Sequence, residues 1–322
     1  MMGLRNWRRM NACFMTFFFL IAVVACNSKK IVPVEQSDTP ASGIIKIVAD
    51  ESFAPLLRSE IATFCNIYDD ADIQADYLPE AEVLKTFFSR PEMRLMLISR
   101  RLLDEEKKHF EQIGLPAHEI KIAIDAVAFV LNNQNNDTSL TYEQVDQIVN
   151  GRITNWKQIN PKSTLGKITL VFDNQQSSTV RYLSDKLLSG KPITSQAFAV
   201  DSNPAVIDYV EKDPGAIGVI GVSWISERGD STTGSFLERI QVAAISSREV
   251  PDSFYLPVKR FIYSMHYPFL RELFIVSQER HSGLGTGFAT YVASDEGQRI
   301  VQRSGLLPID HAIRIIELKE EF

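Results

Sequence analysis

The residues best placed to do chemistry lie in the stretch VFDNQQSSTVRYLSDKLLSG, from Val171 to Gly190. It predicts the end of a strand, a tight polar turn and a helix closed by Gly190. Ser177, Ser178 and Thr179 fall where that helix begins. A helix start offers unpaired N–H groups and hydroxyls to an anion. The same residues also suit plain helix capping. Asp173 stands just upstream, on the side where an anion site wants a cation. No His or Lys close by presents itself as a base for Ser177, so a nucleophile has little support. The chain has no Walker loop, no G-x-S-x-G and no Cys-x-x-Cys. Its five histidines (His109, His118, His266, His281, His311) are scattered without metal-ligand spacing. Neither an enzyme nor a cofactor or metal is expected.

The elements that must position this turn alternate in type. GIIKIVAD predicts a strand. FAPLLRSEIATFCNIYDD predicts an amphipathic helix with Leu57, Ile61, Phe64 and Tyr68 at helical spacing. DIQADYL, EMRLMLIS and the long apolar IKIAIDAVAFVLN read as strands, with EAEVLKTFF and DEEKKHFEQIG as helices between them. The last has Asp and Glu in its first turn and Gly114 at its end. LTYEQVDQIVNG has Thr141 as its N-cap and Gly151 past its end. KITLVFD, the turn and helix above, NPAVIDYVEKDPG (a helix) and AIGVIGVSWI (a buried strand) continue the alternation. TGFATYVAS and DEGQRIVQRSG close the chain as helices. Strands alternating with helices imply an α/β fold with largely parallel sheets.

Composition is that of an ordinary globular protein, 45% hydrophobic and 23% charged over 322 residues, long enough for two lobes. The N-terminus departs from it. Arg5, Arg8 and Arg9 precede FMTFFFLIAVVA, an apolar run from Phe14 to Ala25 that is short for a membrane span and suits a signal segment. An uncleaved anchor helix is the plainer alternative. The run ends in VVAC, which resembles a bacterial lipobox with Cys26 as the lipidated residue. Residues 26–43 carry Pro, Ser and charge without periodicity and read as a tether. Those three arginines are the only charges before Cys26, so the rest holds 31 basic and 40 acidic residues, a formal −9. That balance argues against a nucleic-acid partner. With Cys13 in the signal and Cys26 at the lipid site, Cys65 stands alone, on the apolar stripe of its helix, as a structural thiol.

Four further segments carry a family resemblance. LTYEQVDQIVNGRITNWKQIN (Leu140 to Asn160) resembles a segment of the phosphate-binding proteins of bacterial ABC importers. DPGAIGVIGVSW (Asp213 to Trp224) looks like their Pro-Gly-Ala-Ile-Gly-Tyr strand. SRRLLDEE (Ser99 to Glu106) and YVASDEGQRIVQRSGLLPI (Tyr291 to Ile309) match two more of their motifs, in family order. The resemblance implies a two-lobed periplasmic-binding-protein-like fold, with a cleft between lobes that close about a ligand. Lobe 1 would take residues 44–125 and 252–322, and lobe 2 residues 126–251.

Carried over position by position, the resemblance places Ser52 and Phe53 of ADESFAP at the ligand, with Ser52 equally able to cap a helix. It places Ser99, followed by Arg100, facing the ligand. Ser177, Ser178 and Thr179 take the places of a Ser-Gly-Thr. Asp173, however, stands where the family has its phosphate-gripping Arg. LPEAE, with Glu80 and Glu82, replaces a Ser-Ser-Gly-Gly loop, and Asp50 and Glu51 flank Ser52. Carboxylates repel a dianion and a charged hydrogen bond is lost. Arg100, Arg101 or Arg181 could compensate, or Arg181 could be a solvated helix residue. On this basis Asp173→Arg would raise phosphate affinity.

The expected function is a lipid-anchored extracytoplasmic solute-binding protein for phosphate or another small oxyanion, delivering to an ABC permease. The alternative is a binding-fold lipoprotein without transport duty, a sensor or a structural partner in the envelope. Mass spectrometry of the membrane fraction is expected to find an acylated peptide beginning at Cys26, and Cys26→Ser to abolish it. An intact Met1 peptide in the mature protein would contradict this.

Overall fold

A computed structural model describes residues 38–193, 197–226 and 236–309. The signal segment, Cys26, the tether up to residue 37 and the last thirteen residues lie outside them. No described helix is long and apolar enough to cross a membrane.

The first half opens with β1 (Gly43–Asp50), a single 3₁₀ turn (Glu51–Phe53) and α1 (Ala54–Ile67). Then come β2 (Ala71–Leu78), α2 (Glu80–Ser89), β3 (Met93–Ile98) and α3 (Asp104–Gln112). β1 lies parallel between β2 and β3. It is buried over Ile47–Asp50, as a strand covered on both faces must be. α1 turns Leu57 and Phe64 to the core, while Ile61 and Cys65 sit half-buried at its edge. The Cys65 thiol is pushed up by burial, which suits a structural role.

The pivotal element is β4 (His118–Asn132), fifteen residues long. Its first part pairs antiparallel with β12 (Leu270–Ser277), and its second part, from Val127, pairs antiparallel with β8 (Ala216–Gly221). One strand thus belongs to two sheet halves, in the order β2-β1-β3-β12-β4-β8 and onward to two further strands. In the second half β6 (Thr169–Phe172) runs parallel to β8 and to β7 (Ala197–Ala199). The outer strands are parallel, as the alternation predicts. The central pairings of β12 and β4 are antiparallel because the chain re-enters the first half only after completing the second.

Helices cover the second half as the sequence suggests. α4 (Tyr142–Val149) is held by a reciprocal cap: the Gln144 amide N–H donates to Thr141 Oγ1 at 3.1 Å and the Thr141 N–H to Gln144 Oε1 at 2.8 Å. α5 (Ser178–Leu188) starts at the polar turn and α6 (Asn203–Lys212) behind β8. The end of the expected strand AIGVIGVSWI instead coils into α7 (Ser223–Ser226). A small sheet joins β5 (Ser139–Leu140), β10 (Ala244–Ser246) and β11 (Phe254–Tyr255), while β9 (Ile240–Val242) pairs with β4. β11, just past the expected boundary at Pro251, pairs antiparallel with β10. α8 (Lys259–Tyr263), then α9 (Leu284–Val292), α10 (Asp295–Arg303) and β13 (Leu307–Pro308) complete the chain.

The end of the expected tether is not free. Asp38 is buried, accepts from Arg94 Nη2 at 3.0 Å and caps α9 by accepting the Leu284 N–H at 2.9 Å. Thr39 and Ser42 close a small bridge ahead of β1. A Cβ on Gly287 would lie 1.8 Å from the Pro40 carbonyl oxygen, so only glycine lets this segment lie against α9. Gly287→Ala is expected to lift residues 38–42 from the surface at a cost of roughly 1–3 kcal/mol. Limited proteolysis followed by mass spectrometry should then find new cuts before Gly43. Unchanged protection would contradict the docking.

Candidate functional site

Two chain turns meet where β1 and β6 end. At the first, Asp50 caps the 3₁₀ turn by accepting the Ser52 N–H at 3.0 Å. Asp50, not Ser52, is therefore the cap, and the Ser52 hydroxyl is left for other partners. At the second, Ser177 caps α5 by accepting from the Val180 N–H, and its hydroxyl lies 2.9 Å from that of Thr179. Ser52 Oγ and Ser178 Oγ approach to 3.3 Å across the join. Ser223 Oγ donates to the Ser52 carbonyl at 3.0 Å. The two turns singled out in the sequence thus touch one another.

Asp173 is buried and belongs to the turn: Thr179 Oγ1 donates to its Oδ1 at 3.1 Å. Burial pushes this carboxyl up, and the Ser177 and Thr179 hydroxyls oppose the shift. An arginine at 173 would have to displace this arrangement, so Asp173→Arg is no longer expected to create an anion grip.

The cation of the site comes instead from Arg271 in β12, which the sequence does not single out. It sits opposite Asp125 in the β12–β4 ladder and donates through Nε to Asp125 Oδ2 at 2.7 Å. Both side chains are fully buried. Nη1 donates to Ser178 Oγ at 2.7 Å, and the guanidinium carbon lies 4.7 Å above the Phe53 ring. Nη2 has no protein acceptor. It lies beside Gly221, where a Cβ would come within 3.2 Å of it. The chemistry is that of an oriented, desolvated guanidinium with one donor to spare, next to two hydroxyls. No local sequence signal marks it, because its role depends on the register of β12 against β4.

The remaining expected residues converge elsewhere. Arg100 forks onto Glu106, at 2.8 and 2.7 Å. Arg101 lies over the Phe274 ring. Arg181 forks onto Glu80, with Nη2 at 3.2 Å from Oε2, and reaches Asp185 and Ser99 Oγ as well. Ser99 Oγ donates to Glu80 Oε2 at 3.0 Å. Ser52, Phe53 and Ser178 therefore gather around Arg271, Ser177 and Thr179 around Asp173, and Ser99 and Arg181 around Glu80. Among the described residues no cluster is suited to a metal ion.

A model of the PBP superfamily domain matches residues 34–296. The chain belongs to the PBP superfamily. It is 25% identical over 274 residues to the "Phosphate-binding protein PstS" of Borreliella burgdorferi, covering 83% of this chain and 90% of that one. It is 28% identical over 204 residues to the protein of the same name from Staphylococcus epidermidis, of whose length the match spans 59%. Among solved structures, a putative phosphate ABC transporter substrate-binding protein from Clostridium perfringens superposes with a TM-score of 0.68 at 22% identity, over 83% of this chain and all of that one. That likeness establishes the two-lobed α/β binding fold.

Acids crowd this PBP cleft. Burial, and then the neighbouring Glu80 charge, push the Asp50 carboxyl up to about 7, against the pull of Arg271. Burial and then Asp173 push Glu51 up to about 7, although Asn203 Nδ2 donates to it at 2.6 Å. The ordinary values are 3.8 and 4.5. Between about pH 4 and pH 7 the folded chain keeps these protons while the unfolded chain loses them. The contribution to stability is complete at the acid end and is lost as pH rises towards 7, by at most ~1.4 kcal/mol per pH unit for each group. Glu51→Gln keeps the acceptor for Asn203 without the charge. Urea unfolding should show its stability relative to wild type rising between pH 5 and pH 7.5 by on the order of 1–2 kcal/mol. A difference independent of pH would rule this out.

Proposed function

We propose that this chain is an extracytoplasmic solute-binding protein that holds one small oxyanion, phosphate foremost, and hands it to an ABC importer. The observation that carries this reading is Arg271: a buried guanidinium aligned by Asp125, bonded to Ser178, with Nη2 unspent. Ser52 and Ser178 supply hydroxyls and Phe53 the floor. Ser177, Thr179 and Asp173 shape the α5 turn rather than grip the anion. The relatives named as phosphate-binding proteins support the ligand class. We further propose that residues 1–25 are a signal segment, that Cys26 carries lipid, and that the two lobes meet along β4. The carboxylates of Asp50, Glu51 and Glu80 favour a second reading, a binding-fold lipoprotein that senses a ligand without importing it.

Calorimetry on the chain from Asn27 onward, against phosphate, sulfate and molybdate, tests the first reading. A charged hydrogen bond contributes roughly 1.5–3 kcal/mol, about ten- to a hundred-fold in affinity. Arg271→Gln can still donate to Asp125 but has no charge, and is expected to weaken phosphate binding about ten- to a hundred-fold. Arg271→Lys keeps the charge without the fork and should lose about tenfold. Wild-type affinity in Arg271→Gln, with the fold intact by circular dichroism, would overturn the assignment of this arginine.

A further inference from the structure

Glu80 does inside this cleft what a bound anion would do. It lies in the first turn of α2, in the segment that replaces a Gly- and Ser-rich loop, and is only 2% exposed. Arg181 forks onto both of its oxygens, Ser99 Oγ donates to Oε2 at 3.0 Å, and Arg100 Nε stands 3.8 Å from Oε1. Ser99, Arg100 and Arg181 are the very donors the sequence offers to a ligand. Arg181 comes from α5 in the second half, and Ser99 and Arg100 follow β3 in the first, so the carboxylate joins the halves as a shared oxyanion would. A second contact reinforces the join, the Ala81 N–H donating to the Gln176 carbonyl. The Glu80 charge is also felt at Asp50, whose carboxyl it helps to push up. Glu80, Arg100 and Arg181 all line a cavity of about 570 Å³ between the halves, so the bonded set is open to an arriving solute.

We infer that Glu80 is a built-in competitor for the anion: its carboxylate occupies the donors of Ser99 and Arg181 and, by its charge, restricts binding to the Arg271 side of the cleft. The inference rests on the reading of the cleft as an oxyanion site. It makes Glu80 a determinant of affinity and of how much negative charge the cleft accepts. An incoming anion either displaces the carboxylate from Arg181 or binds against its field, and both lower affinity.

The experiment is phosphate calorimetry on wild type, Glu80→Gln, Glu80→Ala and Glu80→Ala/Arg181→Ala, with thermal melts to establish folding. Glu80→Gln retains the shape of the side chain and serves where the alanine variant does not fold. Removal of the charge is expected to tighten phosphate binding at least tenfold, and Arg181→Ala in the Glu80→Ala background to remove that gain. If wild type binds phosphate and neither Glu80 variant binds it more tightly, the inference falls while the proposed function stands. If only the Glu80 variants bind phosphate, the inference holds and phosphate is not the resident ligand. If none binds, both fall.

Discussion

A guanidinium can lie on the central strand of a buried sheet only where a carboxylate meets it in register. Arg271 and Asp125 meet in this way across the β12–β4 ladder. Desolvating two charges costs several kcal/mol per ion before their attraction and hydrogen bonds offset it, and deleting one partner is far worse than never having the pair. The pairing therefore constrains its surroundings. A slip of one residue between β12 and β4 would send Arg271 to the opposite face of the sheet. Gly221 on β8 must lack a side chain, because a Cβ there would crowd both Arg271 Nη2 and the Ser52 carbonyl. Ser178 must begin α5 at Nη1, and Phe53 must lie flat beneath the guanidinium. Residues from five separated parts of the chain are fixed by one ion pair.

The acids around that pair are tolerable because each has a donor. Ser52 N–H serves Asp50, Asn203 serves Glu51, Thr179 serves Asp173, and Ser99 with Arg181 serves Glu80. Hydrogen bonds alone do not cancel charge. Two of these carboxyls, Asp50 and Glu51, hold their protons up to about pH 7, which lessens the repulsion among the acids.

Most of the fold was legible in the sequence because it rests on local signals. Thr141 with Gln144, Ser177 before α5, Gly114 and Gly151 after their helices and the apolar run of β4 each declare an element within a few residues. The Ser52–Ser178 encounter was legible too, through resemblance and because each lies at a helix start. What could not be read is what depends on register between distant strands. Arg271 sits 146 residues from Asp125, between Leu270 and Glu272, and nothing local distinguishes it from an edge-strand arginine. The same limit hid Glu80 as the partner of Arg181, 101 residues apart. The docked Asp38–Ser42 segment reads as linker because its fixing contacts, to Arg94 and Leu284, are remote as well.

Placing the cation on β12 rather than on the α5 turn changes what binding an anion does to the molecule. An arginine at position 173 would belong wholly to the second half, and an anion held there would reach the first half only through Ser52 and Phe53. Arg271 stands on the ladder shared with β4, the one strand that both halves of the sheet use. Its ring contact, Phe53, comes from the first half and its hydroxyl partner, Ser178, from the second. Any rotation of the halves about β4 must lengthen one of those contacts. Conversely, an anion that accepts from Nη2 and from the hydroxyls of Ser52 and Ser178 is bonded to both halves and to the seam at once. Its binding energy then opposes their separation directly, because a ligand shifts an equilibrium between arrangements only by the difference in its contacts with them. An anion so placed would be part of the joint between the halves.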